Sequence, residues 1–357
     1  MIFERADADG DDAAIGARFH FGDRDDAAFG RTLPQHGRNE SADFRCEHFG
    51  TTWHEKTLAE SVYNPQEMPV QPLHLLFAGT PAFAVPSLKV LAANPSFMID
   101  LVITQPDKPV GRKGIVTPPP VKVAAQKLGI PVWQPSDINK EPMPELPNSP
   151  SPDYIVVVAY GQLLKQHLLD LPKIAPVNVH ASLLPRWRGA SPIQHAILMG
   201  DRETGVTIQR MVKALDEGPI ISQESTAIGP RETFTELHDR LAKTGAHLLV
   251  QTLLSDAKPK PQAESGVTHC KKLTRASGAV DPSLMTAIEI DRRVRALNPW
   301  PGVTLDTSLK ILATELQPTA SAVPLLCKDD TTVYLVTVQP AGGKPMTGEE
   351  WARGKRK

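Results

Sequence analysis

The chain has 357 residues, 41% hydrophobic and 22% charged, with a formal net charge of −1; this leaves room for two domains and excludes a fibre, a wholly disordered chain or a membrane span, since no apolar run approaches the roughly 18 residues a span needs. Cys46, Cys270 and Cys327 are too scattered for a C-x-x-C zinc or disulfide framework. The acidic first residues are no signal peptide, so a monomer in a reducing cytoplasm, working without a metal, is expected.

The charge is uneven along the chain. Residues 1–67 hold 14 acidic and 7 basic side chains, and the remainder holds 26 acidic and 32 basic. The segment 1–67 has no sustained period of 2 or 3.6 and reads as a disordered acidic extension. Met68 stands directly before the first strong strand, so it is read as a working start, with a regulatory tail as the rival. The later part is moderately basic, which suits an anionic partner.

From Leu73, short apolar runs alternate with helical stretches, the pattern of a parallel α/β sheet. Strands are predicted at Leu73–Ala78, Ile99–Thr104, Tyr154–Ala159, Val177–His180 and Val206–Val212. Helices are predicted at Pro86–Ala93, Val121–Leu128, Leu163–Leu169 and Pro192–Met199, closed by Thr233–Leu254. The catalytic domain is placed at residues 68–256, a linker at 257–272 and a β-rich module at 273–357. In the last, Leu284–Leu297 reads as a helix and Thr332–Val338 as a strand. The turn Ala78-Gly79-Thr80-Pro81 has one glycine where a dinucleotide site wants G-x-G-x-x-G, so the fold class is α/β and Rossmann-like without nicotinamide binding.

The chemistry concentrates after the fourth predicted strand. Asn178 and His180 sit two residues apart in a strand, on one face, where an amide and an imidazole can converge on a single oxygen. Asp216, in Leu215-Asp216-Glu217-Gly218, joins them at the carboxyl edge of the sheet if its strand runs parallel to the others. Taken singly, each has a plain reading: a structural histidine, or a turn aspartate before glycine. Convergence of the three is what suggests a site.

Seven separated pieces occur in one order: Phe77-Ala78-Gly79-Thr80-Pro81; Thr104 to Pro109 with Gly111-Arg112; Val156 to Gly161; Asn178 to Gly189; Leu215 to Gly218; Asn298-Pro299-Trp300-Pro301; and Gln339 to Gly342. In this the chain resembles the methionyl-tRNA formyltransferase family, over nearly everything after Met68. The resemblance implies a 10-formyltetrahydrofolate co-substrate and initiator methionyl-tRNA as acceptor, with Asn178, His180 and Asp216 catalytic. It further implies folate contacts at Ser182, Leu183, Leu184 and Pro185. The loop 105–119 would reach tRNA through Lys108, Arg112 and Lys113, and the C-terminal module would be an OB-like β-barrel. The segment between Pro301 and Gln339 is short for the family, so a reduced barrel is expected. Two rivals stay open: a formylfolate-using transferase acting on a small amine, such as a nucleotide or amino sugar, and a non-catalytic RNA-binding relative.

Overall fold

The computed structural model describes residues 71–111, 113–146, 151–306 and 308–355. The acidic extension, Met68, Arg112 and the terminal Arg356-Lys357 lie outside them. In chain order, β1 (Leu73–Gly79) leads to α1 (Val85–Ala93), β2 (Phe97–Ile103), a hairpin of β3 (Lys108–Val110) and β4 (Ile115–Thr117), α2 (Pro120–Lys127), β5 (Val132–Trp133) and β6 (Tyr154–Val158). Then come α3 (Gln166–Leu169), β7 (Ala175–His180), β8 (Arg188–Gly189), α4 (Pro192–Met199), β9 (Glu203–Arg210), β10 (Ile220–Ala227) and α5 (Phe234–Leu253). The C-terminal part holds β11 (His269–Cys270), β12 (Ala279–Val280), α6 (Ala287–Leu297), β13 (Val303–Leu305), β14 (Leu309–Glu315), β15 (Val323–Leu326), β16 (Thr332–Pro340), β17 (Met346–Thr347) and α7 (Gly348–Lys355).

Seven strands form one sheet in the order β10-β9-β7-β6-β1-β2-β5. The run from β7 to β5 is parallel. Both faces of this parallel part are covered, which is why β1, β2 and β6 are nearly continuous apolar runs. Alternation still sorts them: Leu75, Phe77, Val156 and Val158 join the core under α1 and α5, whereas Leu76, Ala78, Ile155 and Val157 pack with Tyr160, Leu164 and Leu168 on the opposite face. The α5 helix begins with a capping box, Thr233 and Glu236 each accepting from the other's end of the turn.

The last two strands depart from expectation. The strand expected at Val206–Val212 is β9, and it runs antiparallel to β7, with His180 opposite Thr207 and Val177 opposite Arg210. Its carboxyl end therefore points away from the ligand edge of the parallel strands. The next strand, β10, is polar from Ser222 to Thr226, lies on an outer edge and pairs antiparallel with β9. The helix expected at Leu163–Leu169 shrinks to Gln166–Leu169. The expected loop 105–119 carries the β3–β4 hairpin instead of being irregular throughout.

The C-terminal module is a mainly antiparallel sheet in the order β12-β13-β14-β16-β15, with β17 paired to β16. The α6 helix packs on β14 and β16 and touches α4 of the first sheet. The connection between the two modules is no free spacer. Lys260 exchanges two 2.8 Å main-chain hydrogen bonds with Ile220, and β11 pairs in parallel with β8.

Candidate active site

Asn178 and His180 occupy the last turns of β7, where the parallel strands end. Asn178 is half-buried, and its side-chain amide makes no hydrogen bond among the described residues. His180 is the reverse case. Its Nε2 lies 2.9 Å from the carbonyl oxygen of Trp187, and because a carbonyl can only accept, Nε2 must carry the hydrogen. The other ring nitrogen, Nδ1, faces Asp216 Oδ1 at 3.6 Å. The two side chains are 6% and 8% exposed, so the pair works largely out of water.

Asp216 reaches this point by a route the sequence pattern does not suggest. Since β9 runs antiparallel, residues 211–219 must fold back from its far end to return along the site. The turn closes with Asp216 in the left-handed region, φ 56°. Gly218 is packed so tightly on the chain that a Cβ there would stand 1.8 Å from the Arg210 carbonyl oxygen. The Asp216 carboxylate is held at both oxygens: Oδ2 accepts from the Gly189 N–H at 2.8 Å and Oδ1 from Gln209 Nε2 at 3.0 Å. Cys270 lies beside them, its thiol donating toward the Trp187 carbonyl oxygen at 3.3 Å. Burial, with Asp216 nearby, pushes that thiol up to about 11, which keeps it protonated and unreactive.

Two cavities meet at Asn178. One is lined by residues 157 and 159–164 on one side and 211–216 on the other, so Asp216 and Asn178 share its wall. It is apolar at Val157, Leu164 and Met211, yet Tyr160 Oη and Gln209 Oε1 are buried there without a partner. The second is mostly apolar, lined by Phe83, Pro192, Ile193 and Phe234, with Asn178, His180 and His238 at its polar side.

Of the residues singled out from sequence, Asn178, His180 and Asp216 are brought together. Ser182, Leu183, Leu184 and Pro185 line neither cavity. Ser182 is fully buried and donates to the Arg186 carbonyl oxygen, while Leu184 is held by Thr207 and Gln223. These bonds, with the one the Pro185 carbonyl oxygen accepts from Thr268 N–H, tie 182–185 to its own loop, to β9 and β10 and to the connection before β11. Lys108 and Lys113 are exposed on the β3–β4 hairpin, whose base is pinned where Asp107 meets Lys122 at 2.7 Å; Arg112 lies outside the described residues. Gln209 and Tyr160 were not foreseen. Gln209 looks in sequence like any interior polar residue of a strand, and only the fold-back of 211–219 gives it a carboxylate to hold.

Comparison with known proteins bears on the family and the fold. A family model described as formyl transferase matches residues 74–253, and one described as formyl transferase, C-terminal domain, matches residues 272–356. A methionyl-tRNA formyltransferase of Halorhodospira halophila is 42% identical over 79% of this chain and 96% of its own length. One from Paramagnetospirillum magneticum is 41% identical over 79% of this chain and 97% of its own. Among solved structures, a sugar 3N-formyl transferase matches with a TM-score of 0.56 at 19% identity, covering 76% of this chain and 99% of that one; at that identity it bears on the fold. Among the described residues no helix is long and apolar enough to cross a membrane. On the two matched domains and the relatives above 40% identity, the chain belongs to the formyl transferase family, alongside the methionyl-tRNA formyltransferases.

Proposed function

We propose that the chain transfers the formyl group of 10-formyltetrahydrofolate to the free amino group of methionine carried on initiator tRNA. The observation that carries this reading is the unsatisfied amide of Asn178 on the wall shared by two cavities of opposite character, with the His180–Asp216 pair beside it. The names of the relatives support the choice of acceptor. In this reading residues 68–256 are the catalytic domain, 257–272 the connection and 273–357 the tRNA-binding module.

With the contacts at Ser182, Leu183, Leu184 and Pro185 kept as the resemblance implies them, the folate belongs in the cavity between 157–164 and 211–216. Its apolar walls suit a flat heteroaromatic ring, and the unpaired Tyr160 Oη and Gln209 Oε1 suit polar atoms at a ring edge. Bound there, the co-substrate supplies a one-carbon unit on N10. The neighbouring apolar cavity, with Phe83, Ile193 and Phe234, takes an unbranched thioether side chain and leaves the amine at Asn178. Lys108, Arg112 and Lys113 then meet phosphates of the acceptor stem.

Asn178 donates its amide N–H to the formyl oxygen as the amine adds to the carbon and negative charge gathers there. His180 can add a second donor only if Nε2–H exchanges the Trp187 oxygen for the formyl oxygen. Asp216, fixed by Gly189 and Gln209, orients the imidazole and draws off, through the ring or a water, the proton the amine loses. That proton ends on the folate nitrogen as its bond to the formyl carbon breaks, and the new bond to the methionine nitrogen remains. The test offers initiator methionyl-tRNA, an amino sugar nucleotide and a small aminonucleotide separately with 10-formyltetrahydrofolate. Formylated methionyl-tRNA as the sole product is expected. Product on a small amine with the tRNA untouched would move the chain to the small-amine transferases, and tight tRNA binding with no product anywhere would make it a non-catalytic RNA-binding relative.

A further inference from the structure

Gln262 lies in the connection between α5 and β11, outside both sheets, yet its side chain is used to capacity. Nε2 donates to the main-chain oxygens of Asp216 and Gly218, both at 2.8 Å. Oε1 accepts from Arg188 Nε at 3.0 Å and Arg188 Nη2 at 2.8 Å. The amide orientation is fixed by these partners, since the flipped group would set an oxygen against two carbonyls and an NH2 against a guanidinium. Its two ends therefore grip two different loops. One is the left-handed turn that carries Asp216, and the other is β8, whose Gly189 N–H holds the Asp216 carboxylate at 2.8 Å.

The turn needs that grip. Asp216 at φ 56° adopts a conformation that aspartate tolerates better than most residues but still at a cost, and among the described residues the main chain within 214–218 makes one hydrogen bond, the long 3.5 Å contact from Glu217 N to the Ala214 oxygen. Gln262 is itself anchored on both sides, by Lys260 on Ile220 and by β11 on β8. We infer that Gln262 is a positioning residue for the formyl transfer: it sets the backbone of Asp216 so that the carboxylate faces His180, and it ties the segment joining the two modules to the reaction. The inference rests on the role proposed above for Asp216.

Displacing a positioned group by about 1 Å can cost on the order of 100-fold in rate. Gln262→Glu keeps an acceptor for Arg188 but turns an oxygen toward the Asp216 and Gly218 carbonyls. It is expected to lower kcat by about 10- to 100-fold while KM for tRNA and for formylfolate stays within about two-fold. In an Asp216→Asn background the same change is expected to add less than about two-fold, because the group it positions is already gone. Should Gln262→Glu fail to fold by circular dichroism, Gln262→Met, which keeps the length without donors or acceptors, carries the same comparison. Wild-type kcat in the folded Gln262 variants, with Asp216→Asn impaired, would overturn the positioning role and leave the reading of Asp216 intact. Losses that multiply in the double variant would also overturn it, since they mark a general scaffold. Normal turnover by Asp216→Asn alone would remove the functional reading beneath it.

Discussion

Asn178 and His180 are neighbours on one face of β7, but the fold treats them in opposite ways. The imidazole is committed at both nitrogens, to Trp187 and toward Asp216, whereas the Asn178 amide is open to both cavities. An unpaired donor contributes nothing to stability and is free to act on substrate. Asn178→Ala is therefore expected to reduce kcat by roughly 100- to 1,000-fold, the usual cost of one oxyanion donor, with a melting temperature shifted by no more than about a degree. Steady-state formyl transfer alongside a thermal melt checks both halves. Near-normal turnover in the folded variant would remove Asn178 from the chemistry, and a collapsed melt would make it structural.

At the scale of elements, α5 couples stability to the site, since its first turn carries Phe234 and its second His238, both in the wall of the apolar cavity. The capping box holds that turn. Hydrogen bonds from the Thr233 backbone N–H, then from its hydroxyl, hold the Glu236 carboxyl below the ordinary 4.5. A depressed carboxyl pKa stabilises the fold above the unfolded value and loses that contribution as pH falls through the folded one. Thr233→Ala should cost about 1 kcal/mol and lower the melting temperature of the first module by about 2–4 °C at pH 7. The share of that gap carried by the hydroxyl's bond to the Glu236 carboxylate should be lost as pH drops below about 4.5, which a series of melts at stepped pH measures; a gap constant down to acid would place the whole loss on the bond from Glu236 N–H to the hydroxyl. Such helices were legible in the sequence, because their limits are written in local chemistry: Pro192 opens α4, Gly200 ends it, and Thr233 with Glu236 starts α5. The relation of Asn178 to His180 is equally local. The approach of Asp216 is not, because it depends on β9 reversing direction and on 211–219 folding back, a choice of sheet topology that no period of 2 or 3.6 encodes. The setting of Ser182–Pro185 is hidden for a related reason: the segment looks exposed and apolar in sequence, and only the fold shows its backbone held by Thr207 and Gln223.

At the scale of the whole molecule, the two modules are joined by a buried charge. Asp291 on α6 is 1% exposed and accepts from Arg231 at 2.7 Å, Arg295 at 3.0 Å and the Thr314 hydroxyl at 2.9 Å. Arg231 and Glu232 belong to the turn between β10 and α5. Arg295 reaches the Glu232 carbonyl oxygen at 3.0 Å, and the Glu232 carboxylate in turn grips Arg240 on α5. Removing the carboxylate leaves Arg295, which is only 12% exposed, without its counter-charge. Breaking a buried pair from one side costs about 3–5 kcal/mol, and here the cost is shared between α6, which carries both Asp291 and Arg295, and the junction, which Arg231 and the Arg295 bond to the Glu232 oxygen cross. Asp291→Ala is thus expected to split thermal unfolding into two transitions where the parent shows one, each module melting alone. Raising salt should weaken the parent's junction only in part, because Arg231 is 41% exposed while Asp291 is buried. Calorimetry of both proteins at low and high salt makes the comparison. A single transition at the parental temperature would assign the junction to apolar packing of α4 on α6.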